Sequence, residues 1–401
     1  MKKVVITILA ITLLMVSLDL GMSQDKKINA QEPQTEEVTS NQDGYYKKDN
    51  FVYKIENGKA VVYGLITYED EVTVPEYING YEVTKVSLKG FLMSKVLNIP
   101  KTVKSIFDYL GGSLGYTEKY KLEEINVDKE NKYLTSIDGV LYNKDISKML
   151  VYPWCRKAKK YIEPSTVIAG YYDATRDYAY SRYLEEITFS SNKNTHIIGY
   201  MYNCPNLKTI NIPDNIRTTS PGDEEQGSCE ACVNLENVNF SKNSKVEYIA
   251  KYTFWGCTNL KKINIPKSVK KINGAAFINC SSLSKVTLHK GLKTIGDTAF
   301  CNCISLKTIK LPKTVTSIGD NAFENCKKLK TVKLKKGLKT IESYAFYKCK
   351  KLKKITLPKG LKEIQKHAFR KTKIKKVKIP KSVKKLSKKA FNKGCKIKRV
   401  K

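Results

Sequence analysis

The sequence predicts an α/β repeat solenoid, built by stacking units of about 23 residues behind an irregular N-terminal cap. Three observations predict it. Phe254, Phe277, Phe300, Phe323, Phe346 and Phe369 stand 23 residues apart, and Phe391 follows 22 later. Between them apolar residues recur in columns, with Cys at +3, Leu at +6, Ile or Val at +9, Ile or Leu at +11, Val or Leu at +15, Ile at +18 and Ala at +22. A unit this short cannot bury its own apolar face, so the units must stack.

Two periods coexist within a unit. Ile309 and Leu311 alternate with polar neighbours, as a strand with one buried face requires. Pro312, like Pro266, Pro358 and Pro380, ends that strand, and Lys-Gly or Lys-Ser/Thr makes the turn. Ala322, Phe323 and Cys326 sit at i, i+1 and i+4, a spacing that one short helical turn can point inward. Each unit therefore reads as a short strand, a turn and a short helical or irregular return.

Taken in order, the chain opens with Met1-Lys2-Lys3 and an apolar run from Val4 to Leu18, too short to span a bilayer comfortably. Residues 1–30 read as a secretory signal, cleaved after Ala30 or nearer Gly21; an uncleaved anchor is the alternative. Residues 31–49, rich in Gln, Glu, Thr, Ser and Asn, read as a flexible linker. Residues 50–120 hold the cap, Phe51 to Val86, and an early irregular unit around Leu97, Ile99, Pro100, Val103 and Ile106. Divergent units fill 121–250, with strand patterns at Leu122-Ile125-Val127, Leu207-Ile210-Ile212 and Leu235-Val238-Phe240 and a surface insertion from Ser220 to Ser228. The regular units occupy 251–401, and the basic end from Lys396 to Lys401 shows no hydrophobic tail or wall-sorting signal.

The motif Ala-Phe-x-x-Cys-x-x-Leu-x-x-Ile-x-Ile/Leu-Pro closely resembles the BspA-like leucine-rich repeats of bacterial surface proteins. Thr135 to Asn143 with Tyr152-Pro153, and Val61 to Val86 with Val72-Thr73-Val74-Pro75, also look like modules of that family. The resemblance covers residues 50 to 401 and implies a leucine-rich-repeat solenoid in a secreted or surface protein. It further implies binding to host or neighbouring-cell ligands, some relatives being adhesins, without transferring a ligand. Family members often carry wall-attachment modules, and none is recognisable in this sequence.

Cysteines, histidines and acids read as structure before chemistry. Seven of the 11 cysteines, Cys204, Cys232, Cys257, Cys280, Cys303, Cys326 and Cys349, share one column and read as buried thiols rather than a disulfide framework. Cys229-x-x-Cys232 belongs to the same packing, which leaves Cys155, Cys229, Cys301 and Cys395 as thiols to test for reactivity. His196, His289 and His367 stand too far apart in the array to converge on a metal. Glu123-Glu124 and Glu185-Glu186 lie at strand starts and read as solvated. No phosphate loop or nucleophile elbow occurs. Neither enzyme, metal nor cofactor is expected.

Charge carries the functional signal. The formal net charge is +35, from 73 Lys+Arg against 38 Asp+Glu. Position +13 is lysine in every regular unit, as Lys267, Lys290, Lys313, Lys336, Lys359 and, after a one-residue deletion, Lys381. Strand positions facing outward add Lys310 and Lys333, along with Lys262, Lys285, Lys354, Lys376 and Lys378. Stacked coils would set the +13 ammonium groups in a ladder about 5 Å apart, where neighbours repel by about 0.8 kcal/mol in water. Such a ladder serves binding, or is a solvated lysine face copied along with the repeat. The expected partner is a host or bacterial surface protein or glycan, teichoic acid or another polyanion among them, met by a monomer. Nucleic acid is disfavoured, because the strands lack exposed aromatic stacking residues and the chain is exported. A second reading is a structural surface scaffold with ligand contacts near Tyr171, Tyr172, Tyr178, Tyr180 and Tyr183, and a remote third is a hydrolase hidden in residues 128–230.

Overall fold

The computed structural model describes residues 43–108, 119–168, 177–220 and 227–400. The signal segment, most of the linker, Tyr171, Tyr172 and residues 221–226 of the insertion lie outside the described residues.

Most regular coils contribute two strands, one more than the sequence pattern suggested. The first carries the +9 residue, and Lys262–Asn264, Lys285–Thr287, Thr308–Lys310 and Thr331–Lys333 join into a four-stranded parallel sheet. The second is only two residues long and carries the +18 isoleucine. Tyr248–Ile249, Lys271–Ile272, Thr294–Ile295, Ser317–Ile318, Thr340–Ile341, Glu363–Ile364 and Lys385–Leu386 join into a seven-stranded parallel sheet. Side chains alternate across each short strand, so Ile263, Val286, Ile309 and Val332 turn inward while flanking Lys and Thr turn outward.

The return segments are not helical, and the α/β class gives way to a β-solenoid. Among the described residues the only helical segment is a single 3-10 turn, Leu88–Phe91. The reason lies in two left-handed residues per coil, placed two before and two after the column Phe: Ala275 and Asn279 (φ 54° and 63°), Thr298 and Asn302 (53° and 61°), Asn321 and Asn325 (57° and 58°). A right-handed helix cannot propagate through them. Instead, alternate peptide N–H groups of the return donate to the next coil, Ala275 to Asp297 O (2.8 Å), Phe277 to Ala299 O (2.8 Å) and Asn279 to Cys301 O (2.9 Å). The i, i+1, i+4 spacing thus marks a chain of tight turns with the same inward residues.

Three internal columns hold the coils in register. The phenylalanines from Phe254 to Phe391 stack face to face, with ring centroids 5.1 to 5.3 Å apart and planes within 20°. Cys280, Cys303, Cys326 and Cys349 each donate Sγ–H to the carbonyl of the Phe one coil back, at 3.0 to 3.3 Å. That accounts for Cys in the column, since a thiol is small, apolar and still a weak donor. Asn279, Asn302 and Asn325 form an amide ladder, Nδ2 to Oδ1, at 2.8 and 2.7 Å. Asn suits that place because it also tolerates left-handed backbone.

Upstream coils pair the strands Glu71–Thr73, Val96–Ile99 and Glu124–Val127, then Lys160–Ile162, Glu186–Thr188, Thr209–Ile212 and Asn237–Phe240, all in parallel. The cap is a hairpin, Phe51–Glu56 with Lys59–Leu65, extended by Tyr46–Lys48, a strand that lies within the stretch read as linker. Leu134–Ile137, Val140–Asn143 and Met149–Val151 form an antiparallel meander around an Asp138-Gly139 turn, both residues at positive φ. Its alternate residues serve two cores. Leu141 and Val151 pack with the cap, while Val140, Tyr142 and Met149 begin the core that continues to Phe391.

A candidate polyanion face on the C-terminal coils

The turn after each first strand presents the lysine ladder. Its closing hydrogen bond runs from residue +15 back to +12, as in Val269 N–H to Pro266 O (3.2 Å), Val315 N–H to Pro312 O (3.3 Å) and Leu361 N–H to Pro358 O (3.1 Å). The +13 lysine is therefore the first inner residue of a β-turn, pointing away from the core. Where the next position is glycine, it backs onto the preceding coil. A Cβ on Gly337 would stand 1.9 Å from Lys313 O, and one on Gly360 would stand 2.5 Å from Lys336 O. Close stacking of these turns sets the ladder spacing and explains Lys-Gly in the sequence.

Lys267, Lys290, Lys313, Lys336, Lys359 and Lys381 are all exposed, as are Lys310 and Lys333. Lys310 and Lys333 stand side by side in paired strands, three residues before Lys313 and Lys336 of the turn row. Among the described residues none of the eight has an acidic partner within ion-pair distance. Lysines outside these rows are different, for they meet acids on neighbouring coils, as in Lys95–Asp70 (2.6 Å), Lys208–Glu185 (2.7 Å) and, in the first regular unit, Lys270–Glu247 (2.9 Å). Those hydrogen-bonded ammonium groups hold the Asp70, Glu185 and Glu247 carboxyls below their ordinary range.

A segmental count sharpens this contrast. Residues 251–401 hold 43 Lys+Arg and only 5 Asp+Glu, whereas residues 1–250 hold 30 and 33. The whole positive excess sits on the regular coils. The outward strand column shows the same change: Thr188, Asn211 and Asn239 link through side-chain amides at 2.9 Å, and the column becomes lysine at Lys310. Whole-chain net charge hid both facts, which were present in the sequence as segment composition.

Other candidates are drawn into the fold. Cys155, Cys229 and Cys301 are buried, and burial raises each thiol above its ordinary range, Cys301 to about 12. Cys395 is half-buried. His289 Nε2 meets Asn264 Oδ1 at 2.8 Å, and His367 lies against Tyr344 and Tyr347. Glu123, Glu185 and Glu186 pair with Lys157, Lys159 and Lys160 at strand starts. Tyr178 is fully buried and donates to the buried Glu163 carboxylate at 2.6 Å, Tyr180 packs on Trp154 and Tyr202, and Tyr183 is exposed. No group of three His, Cys, Asp or Glu able to hold a metal ion occurs among the described residues. No described helix is long and apolar enough to cross a membrane.

Residues 171–284 and 271–398 match the family described as BspA type leucine-rich repeat region, in six copies. No curated protein matches the chain. Among solved structures it is similar to a leucine-rich repeat protein from Bacteroides ovatus, at 24% identity over 88% of this chain and 99% of that one, with a TM-score of 0.56. It is also similar to a leucine-rich repeat protein from Eubacterium ventriosum, at 22% identity over 69% and 93% with a TM-score of 0.46. A third is a leucine-rich cell surface protein from Faecalibacterium prausnitzii, at 20% identity over 89% and 95% with a TM-score of 0.43.

Proposed function

Because the chain belongs to the BspA-type leucine-rich-repeat family, we propose that it is a secreted or cell-surface binding protein whose C-terminal coils hold an anionic surface polymer. One observation carries the reading. Eight exposed lysines without acidic partners stand in two rows on coils that contain almost no acid. Charges repeated at a coil spacing of about 5 Å repel one another, so the rows are a cost to folding that a polyanion would offset. Export is supported by the apolar run behind Lys2 and Lys3. The reading assigns no catalytic step. The scaffold alternative is weakened by the burial of Tyr178, which removes that side chain from any surface patch.

Charge reversal at Lys310, Lys333 and Lys336 separates the two readings. Binding of the triple variant to purified teichoic acid should fall about tenfold or more if the lysine face holds the polymer. Binding equal to that of the parent chain would move the contacts elsewhere.

A further inference from the structure

The lysine face is not uniform along the array. Residues 353–357 occupy the place of a first strand, yet among the described residues they make no backbone hydrogen bond to either neighbouring strand. The four-stranded sheet stops at Thr331–Lys333, and pairing resumes between Lys376–Pro380 and Lys396–Val400. The break adjoins the one-residue deletion, for Ile374 stands five residues after Phe369 where other units have Leu at six. A groove of about 1230 Å³ opens along this break.

The groove combines three features that the rest of the face lacks together. Its walls carry Lys354, Lys376, Lys378, Lys381, Lys396 and Lys398, with Lys376 opposite Lys396 and Lys378 opposite Lys398 in register. Its floor is aliphatic, from half-buried Ile355 and from Ile397, 48% exposed, with the core residues Leu357 and Val377 buried beneath. The backbone of 353–357 leaves peptide donors outside any ladder, and unpaired N–H groups are ready partners for oxyanions.

We infer that this groove is the principal seat of a linear anionic glycan, a sugar chain bearing sulfate, phosphate or carboxylate groups. The inference rests on the polyanion reading above and locates it. Anionic groups answer the lysines and free peptide donors, while the C–H faces of the sugar rings answer the aliphatic floor. A carbon-free polyanion would use only the first. The floor holds no aromatic ring on which nucleobases could stack.

The test measures binding of the full chain to heparin oligosaccharides, with inorganic polyphosphate as the carbon-free comparison, at about 0.15 M salt. The groove pair Lys376→Glu/Lys378→Glu should lower heparin affinity about tenfold or more. The distant pair Lys267→Glu/Lys290→Glu, which makes the same change in charge, should lower it less than about threefold. Ile397→Ser should weaken heparin more than polyphosphate. Equal losses from the two pairs would overturn the groove while leaving a diffuse polyanion face; no loss from either would overturn both. Equal effects of Ile397→Ser on the two probes would overturn the glycan assignment.

Discussion

Thr298 and Tyr344 hold left-handed backbone, φ 53° and 58°, at the column position where Asn321 holds it in the coil between. Asn adopts that region more readily than a β-branched or aromatic residue. Thr298→Asn should therefore stabilise the chain by about 0.5–1 kcal/mol, read as a higher denaturation midpoint at unchanged slope. Two partly buried acids set a pH dependence. Burial raises Asp177 and Glu230 to about 7, above their ordinary values of 3.8 and 4.5. The folded state then binds more protons than the unfolded state between those limits, so stability rises as pH falls through about 7 toward 5. Further acidification reverses the trend, because Asp70, Glu82, Glu185, Glu186 and Glu247 have lowered values and lose their stabilising charge. Denaturation midpoints at pH 8, 5 and 3 should show that maximum in the middle. Asp177→Asn with Glu230→Gln should flatten the limb above pH 5.

At the scale of one coil, Gly337 shows how tightly the turns stack. Its place for a Cβ is filled by the Lys313 carbonyl, so Gly337→Ala should cost roughly 1–3 kcal/mol by forcing two coils apart. A midpoint equal to the parent's would mean the turns are looser than described. The coil also marks what sequence reasoning could reach. The Phe, Cys and Leu columns were legible because buried positions must repeat when coils stack. Of the helical and irregular returns that the pattern allows, the helical one is not formed, because the inward spacing of Ala322, Phe323 and Cys326 serves a helical turn and a left-handed turn equally, and Asn321 and Asn325 are the signal that separates them. The second strand escaped notice because two residues, such as Ser317–Ile318, are too few to show a period. The exposure of the ladder lysines follows from their place in the turn. The groove was not legible, since it depends on which backbone groups fail to pair.

At the scale of the whole molecule, charge divides the chain more sharply than fold does. Repeats built on one plan continue through residue 250, yet the basic excess begins only after it. Upstream coils neutralise lysines with acids on the neighbouring coil, and downstream coils, apart from pairs such as Lys270–Glu247 and Lys348–Glu324, leave most of theirs open to solvent. Self-repulsion on this scale weakens a fold, so its restriction to one segment points to use of the charge there. A polymer engaging six lysines should release condensed counterions in proportion. The measurement that tests this most directly is the affinity of the chain for teichoic acid across a salt series, plotted as log K against log salt. The account predicts a linear fall with slope about −4, near −0.7 for each lysine engaged along a flexible polyanion. A slope near zero would contradict it.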